Sequence, residues 1–438
     1  MDTLARDEDA LAQAIWVQYE VPPMDPSKPN GSRAKGLTLN RGTHDVAPSP
    51  DPRRRGTIWL AGSASSSILA LNTLNPDPKT RTREWVIDET RATINVAPNT
   101  LVERDGHLFF TELKGDHIGE IDIGTGEMHR YLAPTPAQNM HGIAADSRGN
   151  IWYVGLIGTV GRFDVKTKTF TEWTPVKGGN FYQLRIDQRD RVWVASSARR
   201  MLVMWDPKTE KWSTYKTPDN IRRIDVDSKG KVWTNEYFAN AVVMFDPDTQ
   251  KMTEYRLPLK NGNPYETCVD PNDNIWLENA EYQSFVKFDQ RTKKFTYFPY
   301  PDLNAHTPDM ESDAKGTDLG AVGRGDHAVR RRIGLDAPGL LKGVGVDLDD
   351  LIALAERDPE GGRIRSGRRR CLAAGLRAEV CRERQPDDTD TREEQRDPFH
   401  QRPPAGIMMA VRQPPDTSRH VIQPYAVGRS ANSFRNSC

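Results

Sequence analysis

Long apolar runs are missing from this 438-residue chain. No uninterrupted stretch reaches the roughly 18 residues of a membrane-crossing helix, so no membrane span is expected. Net charge is missing too: 61 Lys and Arg offset 61 Asp and Glu. A strong polycation for nucleic acid is therefore not expected. Cysteine is scarce, with four in all. Only Cys268 falls in the regular part of the chain, so no disulfide framework is expected to hold that part together. The start, Met1 to Asp9, is acidic and has no apolar core of a signal peptide, which makes a cytoplasmic location the default expectation. Helix-period segments of ten or more residues are absent between the regular units. That excludes helical repeats and alternating strand–helix units.

What is present is a repeat of about 41 residues. Its anchor is Gly or Asp, one residue, an aliphatic residue and an aromatic. It reads Gly56-Thr-Ile-Trp59, Gly106-His-Leu-Phe109, Gly149-Asn-Ile-Trp152, Asp190-Arg-Val-Trp193, Gly230-Lys-Val-Trp233 and Asp273-Asn-Ile-Trp276. Some 13 residues after each aromatic a strand ends in Asp with Thr three residues on, at Asp122/Thr125, Asp164/Thr167, Asp206/Thr209, Asp246/Thr249 and Asp289/Thr292. Asp accepting from the backbone beyond it is hairpin-turn chemistry. Nine residues after that Asp comes an aromatic, at Tyr131, Trp173, Tyr215, Tyr255 and Phe298. Each unit reads as four short strands, and radial repetition of such units is a β-propeller. A seventh anchor begins at Asp313-Ala-Lys-Gly316-Thr317 and then breaks off, giving Asp318-Leu-Gly320 where the aliphatic–Trp pair should fall. The fold expected is all-β, a seven-bladed propeller over 16–317 with an incomplete last blade. Residues 1–15 are expected to be disordered. The strand at Trp16 to Pro23 resembles the outer strands of other units and is expected to close the last blade.

Composition changes at the break. All ten Trp precede residue 318, and the last 121 residues hold one Lys against 20 Arg. Arg-rich, Trp-free sequence is what out-of-frame translation of GC-rich DNA tends to give. Residues 318–438 are therefore expected to be a largely disordered, unrelated tail, arising from a frameshift or recombination near codon 317. The insertion Pro52-Arg-Arg-Arg55 in the first anchor is a smaller irregularity.

A propeller binds ligands at a mouth of its central channel. The positions leading into the innermost strands lie about 10–11 residues before each anchor aromatic: Asn99, His141, Tyr182, Arg222/Arg223 and Tyr265, with His44 and His306 in the first and last units. This polar and aromatic ring is the expected small-molecule site, for a chain expected to be monomeric. A second tier, Glu112, Glu236 and Glu278, follows the aromatics and offers carboxylates to a metal or an acid–base step.

The segment His141-Gly-Ile-Ala-Ala-Asp-Ser-Arg-Gly-Asn-Ile-Trp152 resembles the virginiamycin B lyase (streptogramin lyase) family. The turn at 245–249 and the strand Thr253-Glu-Tyr-Arg-Leu-Pro258 fit as well, over roughly residues 40–317. The resemblance implies a seven-bladed propeller and a magnesium-dependent C–O lyase that opens a cyclic ester by elimination, linked to antibiotic resistance. A lyase of the family type would use His141 as catalytic base and a displaced metal site near Glu112, with the ring read from the spacing, His44, Asn99, Tyr182, Arg223, Tyr265 and His306, as substrate-binding residues. The match is partial. Asn139 replaces the family's acid, Gly155 its Glu, and Asn99 stands where the preceding blade has its second His. The alternatives are a lactonase-like metal-dependent hydrolase of the gluconolactonase type and a non-catalytic binding or sensor propeller.

Overall fold

The computed structural model describes residues 15–22, 43–87, 96–260, 262–279, 283–300, 309–314, 318–322 and 406–411. All belong to one compact unit. Strand β1 spans Ile15–Glu20. Six four-stranded antiparallel sheets then follow, each built from consecutive strands. The first is β2 (Thr43–Pro48), β3 (Thr57–Gly62), β4 (Ser67–Asn72) and β5 (Thr82–Val86). Next come β6 (Pro98–Arg104), β7 (His107–Glu112), β8 (His117–Asp122) and β9 (Met128–Leu132). The third sheet is β10 (Met140–Ala145), β11 (Ile151–Gly155), β12 (Thr159–Asp164) and β13 (Thr169–Trp173). The fourth is β14 (Phe181–Ile186), β15 (Val192–Ser196), β16 (Met201–Asp206) and β17 (Lys211–Lys216). The fifth is β18 (Ile221–Val226), β19 (Val232–Glu236), β20 (Ala241–Asp246) and β21 (Lys251–Arg256). The sixth is β22 (Pro264–Val269), β23 (Ile275–Asn279), β24 (Ser284–Asp289) and β25 (Lys294–Pro299). The fold is an all-β propeller with six such blades. The described residues include one three-residue 3-10 turn, Pro52–Arg54, and no helix able to cross a membrane.

The anchor aromatics sit on the second strand of each blade and fill the space between sheets. Trp59, Trp193, Trp233 and Trp276 are among the largest fully buried side chains. Each indole N–H is bonded as well. An Asp six residues earlier, at the end of the inner strand, takes it at 3.0 Å for Asp146–Trp152, 2.9 Å for Asp187–Trp193, 3.0 Å for Asp227–Trp233 and 2.9 Å for Asp270–Trp276. The other oxygen of each Asp accepts from the turn backbone, as Asp187 does from Arg189 N and Arg191 N. Burying a Trp requires a partner for its N–H, and this arrangement supplies one within each repeat. In the first blade the Pro52–Arg55 insertion occupies the turn. Glu103 of the next blade takes the Trp59 N–H instead, at 2.6 Å. The Asp-x-x-Thr turns form as expected, with Asp122 accepting from Thr125 N at 2.8 Å and Asp289 from Thr292 N at 2.9 Å.

A further four-stranded sheet has the order β1, β28 (Gly406–Val411), β27 (Asp318–Val322), β26 (Met310–Ser312). Strand β1 is its outer strand, in register with β28 from Ile15 opposite Val411 to Glu20 opposite Gly406. Strand β26 contacts both β22 and β2. The expectation that the chain beyond Thr317 supplies no strand is thereby corrected. Asp318–Val322 pairs with β26 on one side and β28 on the other. The anchor is broken, but Leu319 still places an apolar side chain in the core beside Val21, Val46 and Leu60. The rest of 318–438, residues 1–14 and His306 lie outside the described residues. Cys268, fully buried on β22, is disulfide-bonded.

Candidate functional site

The inner strand of every one of the six blades is bulged at the same place. Its pairing shifts register between Thr43 and Val46, Pro98 and Leu101, Met140 and Ile143, Phe181 and Leu184, Ile221 and Ile224, and Pro264 and Thr267. The residues skipped by these shifts are 44–45, 99–100, 141–142, 182–183, 222–223 and 265–266. These include every described position of the ring read from the sequence. A bulge turns side chains out of the ladder, and here it aims two consecutive residues per blade toward the axis.

The first residue of each pair forms the outer layer. The rings of His44 and His141 lie 5.8 Å apart edge-on, although β2 and β10 are not neighbours. His141 packs on Tyr182 with centroids 4.2 Å apart. Tyr182 and Tyr265 share a hydroxyl–hydroxyl hydrogen bond, with rings 6.1 Å apart. Arg222 lies 3.9 Å over Tyr237, 5.3 Å over Tyr265 and 5.9 Å over Tyr182. His44, His141, Tyr182, Arg222, Tyr237 and Tyr265 therefore form one chain of contacts. Asn99 is buried in the same tier, and its Oδ1 has no hydrogen-bond partner among the described residues.

His141 is 3 % exposed. Burial, with Arg223 and His44 beside it, holds its imidazole well below the usual histidine range. The ring is therefore neutral at pH 7. One nitrogen is hydrogen-bonded to the Tyr182 backbone, and Nδ1 has no partner among the described residues. A neutral imidazole with an open nitrogen can accept a proton.

In five of the six blades the second residue of the pair is a buried polar side chain, Asp45, Thr100, Gln183, Arg223 or Glu266, and in the third it is Gly142. Asp45 accepts from Leu101 N at 2.8 Å, Gln183 from Ile224 N at 2.8 Å, and Asp309 from Val46 N at 3.1 Å, so each side chain pins the next inner strand. Burial and the adjoining Asp309 push Asp45 well above the carboxylate range. Arg223 is fully buried and pairs with Glu266 at 3.0 Å and Asp309 at 3.5 Å. Both arginines of this bulge approach the mouth tyrosines, Arg223 lying 5.5 Å over Tyr182 and 5.8 Å over Tyr265; Arg222 also lies over Tyr237, whereas Arg223 pairs with the buried carboxylates Glu266 and Asp309 beneath. Tyr237 was missed because it follows Glu236 just past the end of β19, outside the inner-strand phase.

The second tier also differs from expectation. Glu112 is fully buried within its own blade. Both of its oxygens are held at 2.6 Å by the Arg130 guanidinium, and His117 lies 3.3 Å away. No group of three or more His, Cys, Asp or Glu among the described residues could hold a metal. With both oxygens held by Arg130, Glu112 does not fit the metal role that the resemblance implies for it. Glu236 and Glu278 are fully buried too. Burial raises Glu236 to about 6, opposed by the Asp219 N–H that it accepts at 2.8 Å. The folded state thus binds this proton more tightly than the unfolded chain. The group's stabilising contribution is full in acid and is lost as pH rises to about 6. Glu236→Gln should therefore raise the melting temperature at pH 7–8 by a few degrees, from about 1–2 kcal/mol, with little change near pH 4. Melting curves across that range check it, and an equal shift at every pH would rule it out.

No family model and no curated protein matches the chain. Solved structures do. A streptogramin B lyase structure aligns with TM-score 0.59 and 19% identity over 70% of this chain and 95% of that one. Virginiamycin B lyase from Staphylococcus aureus aligns with TM-score 0.59 and 16% identity over 70% and 96%. The extracellular domain of a chain described as a hybrid two component system from B. thetaiotaomicron aligns with TM-score 0.51 and 13% identity over 65% and 39%. The chain is similar in fold to streptogramin lyases and to such sensor propellers. At these identities the likeness concerns the fold alone.

Proposed function

We propose that the histidine–tyrosine mouth binds a small organic ligand and that His141 acts there as a proton-abstracting base in a lyase-type elimination. The observation that carries this reading is His141 itself, neutral, buried and open at Nδ1. In the step envisaged, Nδ1 takes a proton from a carbon next to a carbonyl. The electron pair left behind forms a carbon–carbon double bond, the neighbouring ester C–O bond breaks, and a carboxylate leaves. In this reading Arg222 and the Tyr182 and Tyr265 hydroxyls stabilise that developing negative charge. No step is routed through a metal, because Glu112 is committed to Arg130. The ring is read as seven-bladed, supported by β26 touching the inner strands on both sides.

The test is incubation with a streptogramin B-type cyclic depsipeptide and mass analysis of the product. Elimination opens the ring without change of mass, whereas hydrolysis adds one water. His141→Gln, which keeps most of the side-chain volume, should abolish turnover, and a melting curve and ligand titration of the variant separate loss of the base from loss of the fold. Because the proposed base is neutral well into acid, the activity plateau should extend below the usual histidine range. A second reading, a binding or sensor propeller, is favoured by the likeness to the sensor domains. Saturable binding without any product would select it. Absence of both binding and product would sink the site.

A further inference from the structure

The channel has a second opening. The inner strands all start at the histidine–tyrosine mouth, so their far ends collect at the opposite one. There a cavity of about 340 Å³ opens, within the size range of small-molecule sites. It is lined by Ala47, Leu101, Ile143 and Ala144 from β2, β6 and β10. Arg185 and Glu311 reach it from β14 and β26. None of the residues lining it belongs to the histidine–tyrosine mouth.

The charges around the cavity are almost all spent. Arg53 and Arg54 hold Asp51 at 2.7 and 2.8 Å, and Arg54 also holds Glu103. Arg104 pairs with Asp105 at 3.0 Å, and Arg185 holds Glu311 Oε1 at 2.8 Å. With every lining arginine paired, an anion finds no open cation. One lining polar atom is left over. Glu311 Oε2 is buried with no hydrogen-bond partner among the described residues. Burial pushes Glu311 well above the carboxylate range against the pull of Arg185, with Asp309 and Asp225 adding to the rise, so a cationic donor at Oε2 both supplies the missing partner and favours the ionised form.

We propose that this cavity binds a small amphipathic cation, an organic amine with an apolar body, whose ammonium donates to Glu311 Oε2 while the body rests on the aliphatic wall. The insertion Pro52–Arg55 at the first anchor then has a role, since Pro52, Arg53 and Arg54 line the cavity beside Pro50.

The test uses the full chain and two probes of the same shape, benzylamine and benzyl alcohol, titrated by calorimetry. Benzylamine should bind at one site, and the neutral alcohol more weakly by on the order of tenfold. Glu311→Gln should abolish that preference. Pro50 is exposed at the cavity rim, so Pro50→Trp should weaken the amine while leaving the fold intact. If Glu311→Gln fails to fold, the Pro50→Trp titration and the amine–alcohol comparison decide alone. Equal affinity for the two probes, no binding, or no effect of Pro50→Trp overturns the proposal.

Discussion

Ending the chain after Thr317 is expected to leave a protein that aggregates, or that melts on the order of ten degrees or more below the full chain. The strands lost are β27 and β28. Strand β1 pairs with β28, and β26 pairs with β27. Without the two middle strands, the first and last strands of this sheet have nothing between them. The flanking blades, which β26 and β27 contact, are then opened. Unpaired strand edges recruit other chains, so loss of soluble yield accompanies loss of stability. The point version of the same experiment is Leu319→Ala. Leu319 is 1 % exposed and packs with Val21, Val46 and Leu60, so its truncation should cost about 2–5 kcal/mol. Soluble fraction and melting temperature measure both. A truncated chain that melts with the full one would restore the reading of 16–317 as a self-sufficient propeller followed by an unrelated tail.

Arg223→Met is expected to destabilise the protein by roughly 3–5 kcal/mol at neutral pH, the cost of leaving partners of a buried charge uncompensated. Glu266, Asp309 and Asp45 all face Arg223 in a layer that is no more than 5 % exposed. Burial raises Glu266 well above the carboxylate range even with Arg223 present, and the guanidinium opposes that rise. Without it the carboxyls must take up protons or repel one another. The loss should therefore be largest at high pH and shrink as pH falls toward 5, where protonation removes the repulsion. Arg222→Met is the control. Its side chain lies over tyrosines at the mouth, so stability should change by less than about 0.5 kcal/mol, while ligand binding weakens. Denaturant unfolding of both variants at two pH values decides it. Equal behaviour of the two arginines would reject the division into mouth and plug.

Much of this architecture was legible in the chain because a propeller is periodic. The spacing of Trp152, Trp193, Trp233 and Trp276 gives the blades, and the Asp-x-x-Thr turns mark the hairpins. Constant phase relative to those aromatics picks out His141, Tyr182 and Tyr265, and with His44 of the divergent first unit the structure joins them in one chain of contacts. The Asp that accepts each indole N–H was also visible, as an Asp six residues before each Trp, but it was not read as a bond.

What the sequence alone determined is whatever depends on local geometry: strand period, turn chemistry, the buried anchors and the face on which the mouth residues stand. What only the tertiary structure decided depends on closure of the ring. The register shift in each inner strand sets two consecutive residues out of the ladder, and side-chain partners then decide that Arg223, beside the mouth tyrosines, is tied to Glu266 and Asp309 in the plug while Arg222 lies over Tyr237. Asp309 reaches Val46 across 263 residues of chain, and Glu311 reaches Arg185 across 126. Glu112 is claimed by Arg130 inside its own blade. Strands β27 and β28, with no Trp anchor, join the sheet because β1 and β26 present edges that need pairing. No local pattern encodes such contacts, because their energy exists only once distant strands have been brought around one axis.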